Sequence, residues 1–272
     1  MKTLVIDIGG TNVKVASTDK RVPIKIASGP AMTATQMAQQ VLAATEGWKY
    51  DCISIGYPGP VVHDHPLAEP HNLAPGWIDF PYQKTFGKPI RFINDAAMQA
   101  LGGYRGGRML FLGTGTGLGS AMVFDGIVIP LELAHLPYKK GRTYEEYIGL
   151  AGLQLRGKKR WRNSVLDIIA RLQAALVCDY VLLGGGNAKL MKNLPPHVFL
   201  GANSNAIEGG IRLWQNPEEL KILVNPPKKL PRKTPAVRAK NINAPGIASV
   251  VNPLNRSSRK VLPEIRALKQ TE

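Results

Sequence analysis

Leu110-Phe111-Leu112-Gly113-Thr114-Gly115-Thr116-Gly117-Leu118-Gly119-Ser120 is the stretch around which the fold is read. The apolar run from Met109 to Leu112 predicts a buried strand, and strand character resumes from Leu118 to Phe124. Between them glycine and threonine alternate. Glycines permit positive φ and close approach of a ligand to the backbone. Successive N–H groups then face one concavity suited to an anion, and Thr114 and Thr116 add hydroxyl donors. For this stretch alone, the hairpin turn of a β protein is the plain alternative. Two further glycine turns weigh against it. Asp7-Ile8-Gly9-Gly10-Thr11 lies between two predicted strands, and Leu183-Gly184-Gly185-Gly186-Asn187 between a strand and a helix.

The 272 residues suffice for one large domain or two lobes with their own cores. No apolar run approaches the ~20 residues of a membrane span. Met1 to Asp7 runs straight into a strand that carries an acid, which reads against a signal peptide. Cys52 and Cys178 show neither metal-ligand spacing nor a disulfide framework, so buried structural thiols in a cytoplasmic protein are expected. The net charge is +16. Residues 226–272 hold eleven Lys or Arg against Glu264 and Glu272, a net of +9, which leaves +7 for residues 1–225. Any argument for an acidic partner must therefore treat body and tail separately.

Along the chain, near-continuous apolar character predicts a doubly covered strand from Lys2 to Ile8, followed at hairpin spacing by Val13 to Ser17 and Val22 to Ala27. Helical spacing over Thr33 to Glu46 precedes a short strand, Cys52 to Gly56, and the rigid turn Tyr57-Pro58-Gly59-Pro60-Val61. A loop (62–77), a short amphipathic piece (80–86) and a strand (89–93) come next. Asn94 to Leu101 reads as a helix stopped by Gly102-Gly103. Strands are expected at 108–113, 118–124 and 127–131, and helix begins again at Tyr144. Ser164 to Val177 reads as the clearest helix, opened by an S-x-x-D box of Ser164 and Asp167. A strand at 180–183 and a helix at 203–214 complete the body, with Ala206 and Gly210 as the small residues that allow close backbone approach. Hairpins followed by βαβ units occur twice, which predicts an α/β protein with two similar lobes facing across a cleft. The expected division is 1–106, 107–225 and a basic, disordered tail at 226–272, in which 263–269 is a candidate short helix.

Two constellations carry chemistry. Asn94-Asp95 follows a strand and opens a helix, so its carboxylate lies at the strand's carboxyl end, where open α/β sheets place ligands. Asn as N-cap and Asp in the first turn are a sufficient structural reason for the pair. Beside the glycine loops, Asp95 is the candidate general base for a hydroxyl nucleophile, a role worth about 10²–10⁴ in rate. Glu132 and His135 follow the strand at 127–131. They can serve a metal, hydrogen-bond a polyol, or sit as an ordinary surface pair.

Taken in order, Asp7-Ile8-Gly9-Gly10-Thr11, Tyr57-Pro58-Gly59-Pro60, Asn72-Leu73-Ala74-Pro75-Gly76-Trp77, Asn94-Asp95-Ala96, Leu112-Gly113-Thr114-Gly115-Thr116-Gly117 and Glu132-Leu133-Ala134-His135 resemble the ROK-family sugar kinases. Lys140-Gly141-Arg142-Thr143-Tyr144-Glu145-Glu146-Tyr147 and Gly157-Lys158-Lys159-Arg160-Trp161 are most similar to the polyphosphate glucokinases within it. The resemblance covers roughly residues 2–215 and not the tail. It implies a two-lobed actin/hexokinase-like (ribonuclease H-like) fold and phosphoryl transfer from polyphosphate, ATP or both to the 6-hydroxyl of glucose or a related sugar. By motif match, Asp95 is the base and Asn94 a sugar ligand. Glu132, His135 and Glu145 hold sugar hydroxyls, with Glu146 as the competitor for the last role. Gly9, Gly10, Thr11, Gly113, Thr114, Gly115, Thr116 and Gly117 hold donor phosphates, Asp7 lies near Mg²⁺, and Gly185 and Gly186 lie near a nucleotide. The family's cysteine-rich zinc site has no counterpart here, so no zinc is expected, and Ala134 stands where the family's E-x-G-H motif has glycine. A homodimer is the family expectation. The alternatives are an ATP-only kinase for another hexose or an amino sugar, and a non-catalytic sugar-binding regulator. Nucleic acid is expected to meet only the basic tail, without sequence preference.

Overall fold

The computed structural model describes residues 1–202, 204–215 and 221–222. The tail expectations at 226–272 lie outside these residues. The first sheet begins with β1 (Thr3–Ile8), every residue of which is buried. A strand buried on both faces belongs in the middle of a covered sheet, and β1 takes that place. It pairs antiparallel with β2 (Asn12–Ser17) and parallel with β4 (Cys52–Tyr57). β3 (Ile24–Ala27) extends the hairpin, and β7 (Ile90–Asn94) closes the other side, giving the order β3-β2-β1-β4-β7. Between them come α1 (Ala34–Ala44), a two-stranded excursion of β5 (Val61–Val62) and β6 (His65–Pro66), and α2 (Tyr82–Phe86). Thr33 and Gln36 close a reciprocal capping box at the start of α1.

From β7 the chain enters α3 (Asp95–Gly103) and then a second sheet. β8 (Arg108–Thr114), β9 (Leu118–Phe124) and β10 (Ile127–Leu131) form an antiparallel meander. A one-turn helix (Leu133–His135), α4 (Tyr144–Ile148) and α5 (Leu150–Leu176) lead to β11 (Tyr180–Gly184) and β12 (Val198–Leu200). α6 (Asn205–Arg212) and β13 (Lys221–Ile222) follow, and the strand order is β12-β11-β8-β9-β10-β13. The repeated hairpin-then-βαβ pattern is thus present in both sheets.

Alternation sorts the side chains into layers. Leu4, Ile6 and Ile8 pack with Met37 and Val41 of α1, and Leu110 and Leu112 pack with Val165, Ile168 and Ile169 of α5. Val5, Met109 and Phe111 join Met98, Ile207 and Ile211 in the layer of α3 and α6 between the sheets. Each of these two helices follows one sheet and packs on the other: α3 lies on β8 and β9, and α6 on β1 and β4.

Three local expectations are corrected by packing. Gly102 and Gly103 do not stop α3; they lie inside it. A Cβ on Gly102 would stand 1.8 Å from the Asn205 carbonyl oxygen, and one on Gly209 would stand 1.8 Å from that of Met98. The glycines let two helix backbones touch, and Gly210 makes room for the Val5 side chain of β1. Ala206 is simply buried. Ser164 opens no helix. α5 already runs from Leu150, broken at Gly157 (φ 72°), and the Ser164 hydroxyl donates to the Arg160 carbonyl one turn back. Asp167 instead accepts from Tyr138, Lys139 and Arg171, which hold its carboxyl well below the usual range. Finally, Cys52 is buried as expected, whereas Cys178 is half-buried.

Candidate functional site

Asp7 lies near the end of β1, directly across the hairpin from Lys14, and the Lys14 ammonium donates to Asp7 Oδ2 at 2.8 Å. Asp7 is 3 % exposed, and Lys14 is the cation that pairs with it. Beyond it the strand opens into Gly9-Gly10-Thr11. Gly9 N–H donates to the Asn12 carbonyl, and the Ser28 hydroxyl donates to Gly9 O. Gly10 lies against Asn72, whose Cβ is 3.1 Å from where a Cβ on Gly10 would stand, and Thr11 is exposed.

Asn94 ends β7 and caps α3. Its Oδ1 accepts from Ala97 N–H, and its Nδ2 donates to Gly59 O. The helix-capping role is therefore real, and it fixes the neighbour. Asp95 takes the first helical position, accepts from Ala96 N–H at 2.8 Å, and is half-buried. Burial pushes its carboxyl up to about 7; the nearby Asp7 carboxylate adds to the rise and Glu132 adds less, while the Ala96 N–H and Lys14 oppose it. Asp7, Lys14 and Glu132 thus come from three other elements to act on Asp95.

The Gly113–Gly117 loop is tied down through its carbonyls. Thr114 O accepts from Asn187 N–H, Gly115 O from Asn187 Nδ2, Thr116 O from Leu150 N–H, and Gly117 O from Gly115 N–H. Among the described residues nothing accepts from Thr116 N–H or Gly117 N–H. The loop's carbonyls are thus taken up, while two of its donors are without a partner among the described residues and the Thr116 side chain is exposed, the polarity an anion needs. Thr114 departs from the expectation. It is 1 % exposed and its hydroxyl donates to Gly184 O, so it joins two turns and does not face the concavity. Gly185, at φ 80°, lies so close to Thr114 that a Cβ would stand 2.6 Å from its carbonyl. Two of the three glycine turns therefore form one surface, which Gly186 extends with open space around it.

Glu132 and His135 are exposed at the two ends of the one-turn helix, and Ala134 between them is buried with Leu112, Leu118 and Tyr144. The Ala134 methyl packs into the core, away from the exposed flanking side chains. Glu145 and Glu146 separate cleanly. Glu146 bonds back to Thr143 N–H in a capping box. Glu145 Oε2 accepts from Leu118 N–H at 2.9 Å, beside Gly117. Lys14 and Asn187 were missed by sequence reasoning as site residues. Counting across the β1–β2 hairpin would have paired Lys14 with Asp7, whereas no spacing points from Asn187 to Gly115.

Among the described residues no three His, Cys, Asp or Glu side chains gather to cage a metal. One buried carboxylate, Asp7, beside Asp95, suits Mg²⁺, which keeps its waters and is commonly held by one or two carboxylates plus substrate phosphates. No helix among the described residues is long and apolar enough to cross a membrane.

No family model matches the chain. The polyphosphate glucokinase of Mycobacterium tuberculosis (strain ATCC 25177 / H37Ra) is 25% identical over 206 residues, covering 66% of this chain and 76% of that protein. The inorganic polyphosphate/ATP-glucomannokinase of Arthrobacter sp. strain KM superposes with a TM-score of 0.66 at 22% identity, over 76% of this chain and 96% of that one. A ROK family glucokinase from Streptomyces griseus, solved with glucose and AMPPNP, gives a TM-score of 0.60 at 17% identity, over 78% and 98%. The chain is thus similar in sequence to the polyphosphate glucokinases and has the two-lobed, actin-like fold of the ROK sugar kinases.

Proposed function

We propose that this protein is a hexose kinase, a phosphotransferase with an alcohol acceptor, that moves a phosphoryl group from polyphosphate, ATP or both to the 6-hydroxyl of glucose or a related sugar. The observation that carries the reading is the meeting of Asp95, Asp7, Lys14 and Glu132 near the 113–117 loop with its two unpaired N–H groups among the described residues. The sugar binds among Asn94, Glu132 and His135, with the second oxygen of Glu145 available to it. Asp95 takes the proton of the attacking hydroxyl. The sugar oxygen bonds to the terminal phosphorus of the donor as the bridging P–O bond breaks, and the shortened donor leaves. Gly9, Gly10, Thr11 and, in the second loop, Gly113, Gly115, Thr116 and Gly117 face the donor phosphates, and Gly185 and Gly186 face a nucleotide. Mg²⁺ held near Asp7 supplies charge neutralisation to the phosphates, as such transfers need. Closure of the lobes, divided in the chain near residue 106, keeps water from replacing the sugar as acceptor.

Polyphosphate use has its own support in charge. Lys140, Arg142, Lys158, Lys159 and Arg160 are exposed. Lys139 and Arg162, in the same basic stretches, are already engaged, the first on Asp167 and the second on the Leu190 carbonyl. Several free cations on one polyanion make binding steeply salt-dependent. Purified protein is given a panel of hexoses with Mg²⁺ and either ATP or polyphosphate across a salt series, and hexose phosphate is measured. Polyphosphate-driven turnover that falls with salt, and falls again when Lys158, Lys159 and Arg160 become Ala, is the expected result. ATP turnover without polyphosphate turnover leaves an ATP-dependent hexokinase.

A further inference from the structure

The 113–117 loop would not hold its shape unaided. It alternates glycine with threonine, and only Gly115 N–H to Gly117 O joins it to itself. Strand pairing anchors Gly113 and Thr114, and the Thr114 hydroxyl holds Gly184 O; three further groups hold the turn itself. On one side Asn187 donates twice, from its backbone to Thr114 O at 2.9 Å and from its amide to Gly115 O at 3.0 Å. On the other side Leu150 N–H meets Thr116 O at 3.1 Å, and Glu145 Oε2 receives Leu118 N–H at 2.9 Å. The fit is close. A Cβ on Gly117 would stand 2.3 Å from Glu145 Oε2, and one on Gly149 would stand 3.1 Å from Thr116 O.

We propose that Asn187 and Glu145 are positioning residues that grip the Gly113–Gly117 loop from opposite sides and keep its free N–H groups aimed at the donor phosphates. This rests on the reading of that loop as the donor site. Neither side chain need touch the transferred group. Asn187 fixes the entry to the loop by removing the freedom of two successive carbonyls. Glu145 fixes the exit, and because its other oxygen is available to the sugar, it links the acceptor side of the cleft to the donor side. Orienting groups of this kind matter because a misplacement of about 1 Å in a reacting geometry costs on the order of 10²-fold in rate.

The test uses the full chain with Asn187→Ala, Asn187→Asp, Glu145→Ala and Glu145→Gln. Aspartate keeps the size of Asn187 and loses the donor; glutamine keeps an acceptor for Leu118 N–H. Amide hydrogen exchange over residues 113–119 is read without substrates. Kinetics are read with glucose, Mg²⁺ and either ATP or polyphosphate. The expected result is faster exchange in the segment for Asn187→Ala, Asn187→Asp and Glu145→Ala, with Glu145→Gln close to wild type. For the two Asn187 variants the donor KM rises or kcat falls by about tenfold or more while the sugar KM stays within about twofold, as for a group that acts only through the loop. Unchanged exchange in the Asn187 and Glu145→Ala variants overturns the proposal. So does a lowered melting temperature with donor KM and kcat intact, because that is the mark of a merely structural contact. Should Asn187→Ala fail to fold, Asn187→Asp and the Glu145 pair decide the matter. Should the wild-type chain phosphorylate no hexose, the functional reading fails, while the exchange comparison still shows whether the grip exists.

Discussion

Asp95, held near pH 7 by burial and by Asp7, is half ionised close to neutrality, where a general base works best. Asp95→Asn keeps the shape and the contact to Ala96 N–H and removes the basicity. Sugar phosphorylation is expected to be lost in a folded protein, and near-normal turnover would reduce Asp95 to a helix-start residue. In the wild type, kcat/KM should fall as pH drops through about 7, because protonated Asp95 cannot accept a proton. The same shift sets a stability trend. In the unfolded chain an aspartate titrates near ~4. Between there and about 7 the folded protein keeps a proton that the unfolded chain has lost. Stability is therefore highest below the unfolded value and is lost as pH rises through the folded one. Asp95→Asn abolishes the trend, so its stability relative to wild type should climb from pH 4 to pH 8 by on the order of 3 kcal/mol, read by denaturant unfolding at each pH. Residues of this kind divide sharply in how far sequence exposes them. Asp95 is legible because it follows a strand and opens a helix. Lys14 needs the strand register, and the raised Asp95 carboxyl needs to know that Asp7 and Glu132 arrive beside it.

α3 and α6 show why elements are easier to read than their contacts. Every strand of the two sheets up to β11 falls within a few residues of its expected place, because apolar runs and hairpin spacing are properties of the local chain. Gly102 misled because a glycine at a helix end and a glycine at a helix crossing look alike until the partner is known, and here the partner lies about a hundred residues away in Asn205. Gly102→Ala and Gly209→Ala should each destabilise by about 3 kcal/mol or more, since a methyl would meet backbone and not a flexible side chain. That outweighs the ~1 kcal/mol that alanine gains over glycine in a helix. Urea midpoints equal to wild type would show that the helices separate easily. Ser164 misled in a different way: the S-x-x-D pattern is real, but α5 was already under way. Ser164→Ala should therefore change stability by less than about 0.5 kcal/mol, where loss of a true N-cap costs about 1 kcal/mol.

At the scale of the molecule, the first sheet is finished by the last described helix. Gly210 seats on Val5, the Ser54 hydroxyl donates to Gly210 O, Trp214 Nε1 donates to Ser54, and Arg91 donates to Leu213 O. These contacts join residues up to about two hundred positions apart. Such long-range pairing is late and slow in folding. As the chain leaves the ribosome, β1, β4 and β7 emerge first, yet Val5 and Ile93 remain without their cover until residues 205–214 have been made. The amino-terminal half therefore waits, with apolar surface bare, for the carboxyl-terminal part of the body to be synthesised. A chain ending at Gly201 should collect in the insoluble fraction, whereas one ending at Asn225 should fold and turn over. If the shorter chain gave a soluble protein with a cooperative melt, the first sheet would be self-sufficient. A ribosome pausing between codons 201 and 214 would then be harmless; on the structure described here it prolongs the most aggregation-prone moment in the life of the protein.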